Sequence, residues 1–250
     1  MNRALVLRVL ALAAAVAVLE ALCRVGVIDR FTMQPPSRIA VDLWSILATG
    51  KFNAAILKTL TNAGIAFALA VSVGIAAGVA IHGLKALREG LDPLFATYYA
   101  IPVLAFYPLL IILFGLGDAP QILIGFMLGV VAVIVNTLNG LDRVPRVLLK
   151  AARIGRLTPV EVATQVTLPY AVPYVLTGVK FAVSYAFIGI IGSEFVMSRG
   201  GMGFEIAFAY NNLDNATMYP LIVLILAVTI SANLMIARWE KALLARRGLA

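Results

Sequence analysis

Two side chains that build most metal and redox sites are nearly missing. The 250 residues contain one cysteine, Cys23, and one histidine, His82. A lone cysteine excludes an internal disulfide, and a lone histidine offers no zinc-type cluster. The phosphate loop G-x-x-x-x-G-K-[ST] is missing too: the only Gly-Lys pair, Gly50-Lys51, is followed by Phe52, so nothing here would cradle nucleotide phosphates. Charge is equally scarce. Charged residues make up 13% and hydrophobic residues 62%, against roughly 25% and 45–50% in soluble domains. With a mean hydropathy of +0.99, the chain reads as an integral membrane protein.

What is present is a set of long apolar runs. A bilayer core of about 30 Å takes about 20 apolar residues in a helix. Six runs qualify: Leu5 to Cys23, Thr61 to His82, Leu94 to Phe114, Pro120 to Leu138, Ala171 to Met197 and Pro220 to Arg238. They do not alternate in polarity as barrel strands would. The first exceeds the usual signal-peptide core of about 7–15 residues, which favours an uncleaved helix over a cleaved leader. With both termini inside, the cytoplasmic connections hold thirteen Lys and Arg, from Arg3 to Arg247, and the outer ones six, including Arg24, Arg30 and Lys58. Positive charge is retained on the cytoplasmic side, so the net charge of +8 needs no nucleic acid.

The cytoplasmic connection "VPRVLLKAARIGRLTPVEVATQVTLP" interrupts this pattern. Pro145 suits a first helical turn, Leu148, Leu149 and Ala152 form an apolar side, and Gly155 suits a stop. Thr158, Pro159 and Glu161 then spell a reciprocal capping box. Val162 and Val166 share a face, and Pro169 is expected to close the second helix. The segment reads as two short helices broken near 155–158. A basic loop on anionic headgroups is the competing reading, but a tight break followed by a capped helix suits a protein partner better.

The same segment resembles the membrane subunits of binding-protein-dependent ABC importers, whose pattern is Glu-Ala-Ala, three residues, Gly, and later Ile-x-Leu-Pro. Ala151, Ala152, Leu168 and Pro169 match in register, with Val166 at the Ile position; Lys150 replaces the glutamate, and Arg156 stands at the glycine, with Gly155 one residue early. "MQPPSRIAVDLWSIL", "LPYAVPYVLTGVKFA" and "SEFVMSRGGMG" are similar to the branch handling nitrate, sulfonates, taurine and bicarbonate. The resemblance implies an all-α type I importer permease fold: a first span and outer segment (1–55), a permease domain (56–240, coupling region about 143–169) and a cytoplasmic tail (241–250). It also implies location in a bacterial inner membrane and passage of a small solute, an organic or inorganic anion, by alternating access with no bond changed.

The implied partners are an ATP-binding subunit dimer that carries ATP and magnesium, a periplasmic or lipid-anchored solute-binding protein and a second permease copy. No cofactor is expected on this chain. The coupling residues would be Lys150, Ala151, Ala152, Gly155, Arg156, Thr158, Glu161, Leu168 and Pro169. A lysine at 150 suits an acidic or neutral partner surface.

Pro102 and Pro108 interrupt the third run, and with Tyr98, Tyr99 and Tyr107 they mark it as the expected pathway lining; interface tyrosines around a structural kink are the other reading. Gly74/Gly78 and Gly125/Gly129 have the spacing of close helix packing. Lys180 and Glu194 lie in the fifth run, about 21 Å apart along a helix, so Lys180 is expected to snorkel inward and Glu194 to sit near an outer gate. Arg24 to Lys58 and the segment after Ser198 are expected to offer an outer docking face. A secondary transporter would need midplane carboxylates, whereas only Glu20 and Glu194 lie in or beside the six runs; a passive scaffold would not need the capped break.

Overall fold

The computed structural model describes residues 3–29 and 32–246; Arg30 and Arg247, counted above for orientation, fall outside them. Its elements are helical. Helix α1 covers Arg3–Val25, α2 Pro36–Thr49, α3 Asn53–Gly83, α4 Lys85–Thr97, α5 Tyr107–Phe114, α6 Asp118–Asp142, α7 Arg146–Ile154, α8 Pro159–Glu161, α9 Leu168–Met197, α10 Met202–Asn211 and α11 Asn215–Arg246. Among the described residues, five helices are long and apolar enough to cross a membrane, and a sixth span forms if α4 and α5 are counted together.

Helix α6 is the axis of the bundle, held between α3 and α9. Glycine makes this possible. A Cβ on Gly74 would stand 2.6 Å from the Val133 Cβ, and one on Gly189 would stand 2.6 Å from the Gly125 Cα. Bare backbone lets these helices approach as G-x-x-x-G spacing permits. Ala66, Ala70, Ala182 and Ala186, all buried, continue the small-residue seam. Helix α1 touches the rest mainly through α2: Glu20 accepts from the Ser37 amide (2.9 Å) and hydroxyl (2.7 Å) at the start of α2 and from Arg24 Nε at 2.6 Å.

Two expectations need correction, and a third holds only in part. The third run is interrupted as expected, but at Pro102 and not at Pro108. The chain leaves the α-helical path between Tyr98 and Phe106, the halves on either side bend by 88°, and Pro102 sits at the break. Proline has no amide to donate and clashes with the preceding turn; Pro108 is harmless because it lies in the first turn of α5.

Pro169 does not close a helix. The chain runs from α8 through a wide π turn at Val162–Thr167 into α9, with the Leu168 amide donating to the Ala163 carbonyl. The wider turn absorbs the proline's missing hydrogen bond without ending the helix. Finally, the span helices outlast their apolar runs. Asp118 and Asp142 end α6, and Glu240 lies on α11, so Glu20 and Glu194 are not the only carboxylates on spans. Glu240 takes Lys180 Nζ at 2.6 Å, and the lysine is paired rather than snorkelling alone.

Candidate functional site

The connection between α6 and α9 builds an exposed platform. Pro145 lies just before the first turn of α7. Ala152 packs inward, while Val147, Lys150, Ala151 and Ile154 share the outward face, following helical spacing. Ile154 is 85% exposed, and Val160, across the turn, 70%.

Helix α7 ends in a Schellman turn: the Arg156 amide donates to the Arg153 carbonyl (3.0 Å) and the Leu157 amide to Ala152 (3.0 Å). The left-handed residue that this turn requires is Arg156, with φ 53°. Gly155, expected to supply the stop, has φ −71° and spends none of its freedom there. The resembled pattern's glycine position is thus the position whose backbone needs glycine.

The second helix starts as the sequence predicts. Glu161 accepts from the Thr158 amide (2.7 Å) and hydroxyl (2.8 Å), and the Glu161 amide donates back to Thr158 Oγ1 at 3.3 Å. These bonds hold the Glu161 carboxyl below its ordinary range, the backbone bond most. Leu168 and Pro169 are half-buried behind the platform. Between the platform and the bundle lies a cavity of about 360 Å³, lined by His82, Asp142, Leu149, Ala163 and Leu168 among others. Asp142 ties α6 to the other helices there, accepting both Arg88 guanidinium nitrogens and standing 3.4 Å from His82 Nε2.

A buried polar cluster joins the opposite ends of α3, α6, α9 and α10. Glu194 is fully buried. Its carboxylate accepts from Thr59 Oγ1 (2.8 and 2.9 Å) and from the Gly203 amide (3.0 Å), while Thr59 Oγ1 accepts from the Met202 amide at 2.8 Å. Glu194 therefore caps the N-terminus of α10, where a carboxylate is electrostatically favoured. Gly201, with φ 104°, leaves no room for a side chain: a Cβ there would meet the carboxyl carbon at 2.2 Å. Beside it, Asn62 bonds Gln121 (3.1 Å) and Asp118 (3.2 Å), Gln121 bonds Ser198 (2.8 Å), and Lys58 pairs with Asp118 at 3.0 Å.

The broken span carries the aromatic residues. Tyr107 is buried, its hydroxyl on the Met197 carbonyl at 3.0 Å, and Tyr98 donates to the Met127 carbonyl at 2.7 Å. Tyr99 is 47% exposed and stacks on Tyr185 of α9, with centroids 5.4 Å apart. Of the three tyrosines in this run, Tyr99 presents an open face. The contribution of Tyr185 and Phe181 from α9 was not anticipated, because only the fold brings residues 99 and 185 together.

Residues 70–247 match the family model described as the binding-protein-dependent transport system inner membrane component. Curated relatives include the nitrate import permease protein NrtB of Synechococcus elongatus, 31% identical over 156 residues (62% of this chain, 56% of that protein). The bicarbonate transport system permease protein CmpB of the same species is 32% identical over 155 residues (62% and 56%). The taurine transport system permease protein TauC of Escherichia coli is 29% identical over 182 residues (71% and 66%). The matches thus span less than two thirds of the length of each of these relatives.

Among solved structures, a chain of the MetNI methionine ABC transporter, described in inward-facing conformations, has the same fold: TM-score 0.66 at 16% identity, covering 78% of this chain and 97% of that one. The bundle around α6, the platform between α6 and α9 and the match over most of the sequence converge: the chain belongs to the family of inner membrane components of binding-protein-dependent transport systems.

Proposed function

We propose that this chain is the membrane permease subunit of an ATP-driven importer, with the α7 platform as its docking surface for a separate ATP-binding subunit. The observation that carries the reading is the platform itself. Val147 and Ile154 on α7 and Val160 on α8 are exposed apolar side chains on either side of a turn closed by the Schellman bonds and the capping box, in the connection that joins α6 to α9. Such a turn transmits force into the two most central helices. An apolar patch rimmed by Arg146, Lys150, Arg153 and Arg156 suits a protein groove, and Lys150 suits an acidic or neutral groove wall.

A second copy of the chain would complete the pathway, and a solute-binding protein would deliver the solute to the end carrying Glu194 and α10. ATP and magnesium belong to the partner subunit. The relatives are named for nitrate, bicarbonate and taurine, which supports a small anion as the transported class. Transport leaves the solute chemically unchanged. A secondary transporter or passive scaffold accounts for the spans but gives the capped turn no task.

Affinity purification of the tagged protein from its native membrane in mild detergent, with mass spectrometry of what accompanies it, tests this. Recovery of an ATP-binding subunit is expected. Its absence under conditions that preserve a control importer would remove the proposal.

A further inference from the structure

The irregular stretch Tyr98–Phe106 lies at membrane depth. The Met127 carbonyl that receives the Tyr98 hydroxyl is nine residues along α6 from Asp118, about 13 Å at 1.5 Å per residue. Tyr99, Ala100, Ile101, Pro102 and Leu104 are exposed there. Non-helical backbone at that depth is tolerated only against protein or water, not against lipid. Beside it, α9 presents Phe181, 49% exposed, one turn before Tyr185. Phe181 and Tyr185 lie 6.3 Å apart, Tyr99 stacks on Tyr185, and Tyr98 meets Tyr99 edge-on at 5.6 Å. Lys180, the sole basic residue in α9, is already bound to Glu240, and the run from Leu94 to Phe114 contains no charge.

We propose that the face formed by Tyr99, Phe181 and Tyr185 is a water-lined solute site that holds a planar, unsaturated organic group against its ring faces. This rests on the importer reading and narrows its solute class. A small inorganic anion meets no free cation among the residues of this face, Lys180 being paired with Glu240, and ring faces carry negative potential. A conjugated ring gains stacking, its acidic group staying in water or meeting the tyrosine hydroxyls.

The first arm of the test keeps every ring in place. In a Cys23→Ser background, Ile188→Cys or Ile101→Cys puts a reporter thiol beside the rings, and Leu12→Cys, midway along α1, serves as the membrane-buried control. The complex, purified with its partners and eluting as wild type, is treated with the membrane-impermeant reagent 2-sulfonatoethyl methanethiosulfonate. The reporters are expected to react at least about tenfold faster than the control, as a water-lined face requires. Benzenesulfonate at about two to nine times its dissociation constant is expected to slow them by roughly three- to tenfold, as simple occupancy requires; equimolar nitrate or bicarbonate is not. Adding Phe181→Ala and Tyr99→Leu should abolish that protection.

Reaction no faster than the control, equal protection by nitrate or bicarbonate, or protection that survives loss of the rings would each overturn the proposal. Retention of an ATP-binding subunit in the same preparations reads the importer assignment separately.

Discussion

Glu194 tests how the end of the bundle away from α7 is held. Its carboxylate is the acceptor for the Thr59 hydroxyl and the Gly203 amide, both buried. Glu194→Ala strands both donors, at about 1–3 kcal/mol each, and removes the anion from the α10 N-terminus. A loss of about 2–5 kcal/mol is therefore expected. Glu194→Gln keeps the shape: the amide oxygen can accept from Gly203, while the amide nitrogen faces Thr59 Oγ1, which has a second acceptor position. That variant loses about one hydrogen bond, near 1 kcal/mol.

Gly201→Ala should match the alanine variant, because its Cβ would enter the carboxylate at 2.2 Å from a left-handed backbone. Thermal unfolding of the solubilised protein, followed by fluorescence-detected size exclusion, ranks the three. The expected order is wild type above Glu194→Gln, with Glu194→Ala and Gly201→Ala well below. A Glu194→Ala protein as stable as wild type would refute the capping role. Glu194→Gln with unchanged stability but no transport would show that the charge matters rather than the geometry.

Three further outcomes follow from local geometry. Arg156→Gly should strengthen the α7 turn by roughly 0.5–1 kcal/mol, since left-handed backbone costs an L-residue about 1–2 kcal/mol and glycine's extra unfolded entropy returns part of it; slower amide exchange at Leu157 is the readout. Gly189→Ala should prevent accumulation of folded protein, because its Cβ would meet the Gly125 backbone at 2.6 Å; expression at the wild-type level would contradict the packing account. Glu161 has a folded-state pKa below its unfolded value, so its contribution is complete above the ordinary glutamate range, about 4.3, and disappears as pH falls through the depressed folded value. The difference in protection of residues 158–161 between wild type and Glu161→Gln should therefore be present at neutral pH and vanish in acid.

Much of the molecule was legible in the sequence where one local signal sufficed. Apolar runs marked the spans, and Thr158 with Glu161 marked a helix start that the structure reproduces bond for bond. The errors came where a local signal had a second solution. Pro169 reads as a stop unless a π turn absorbs it. Gly155 reads as the stop, yet the left-handed residue of the turn is Arg156, because the closing bonds run from Arg156 to Arg153 and from Leu157 to Ala152. Hydropathy drops before α11 ends, which hid Glu240 as the partner of Lys180. The Glu194 cluster was least legible: Thr59 is 135 positions away, and no periodicity connects them. The stack of Tyr99 on Tyr185 was hidden for the same reason.

The most direct measurement of the central claim is the affinity of the purified ATP-binding subunit for the permease carrying Ile154→Asp, read by co-elution in detergent. Ile154 is 85% exposed and packs on nothing the fold needs, so the variant should stay folded. A charge placed in an apolar docking groove costs a few kcal/mol, so binding should weaken by about a hundredfold or more. Wild-type affinity in the folded variant would contradict the assignment of this platform as the coupling surface.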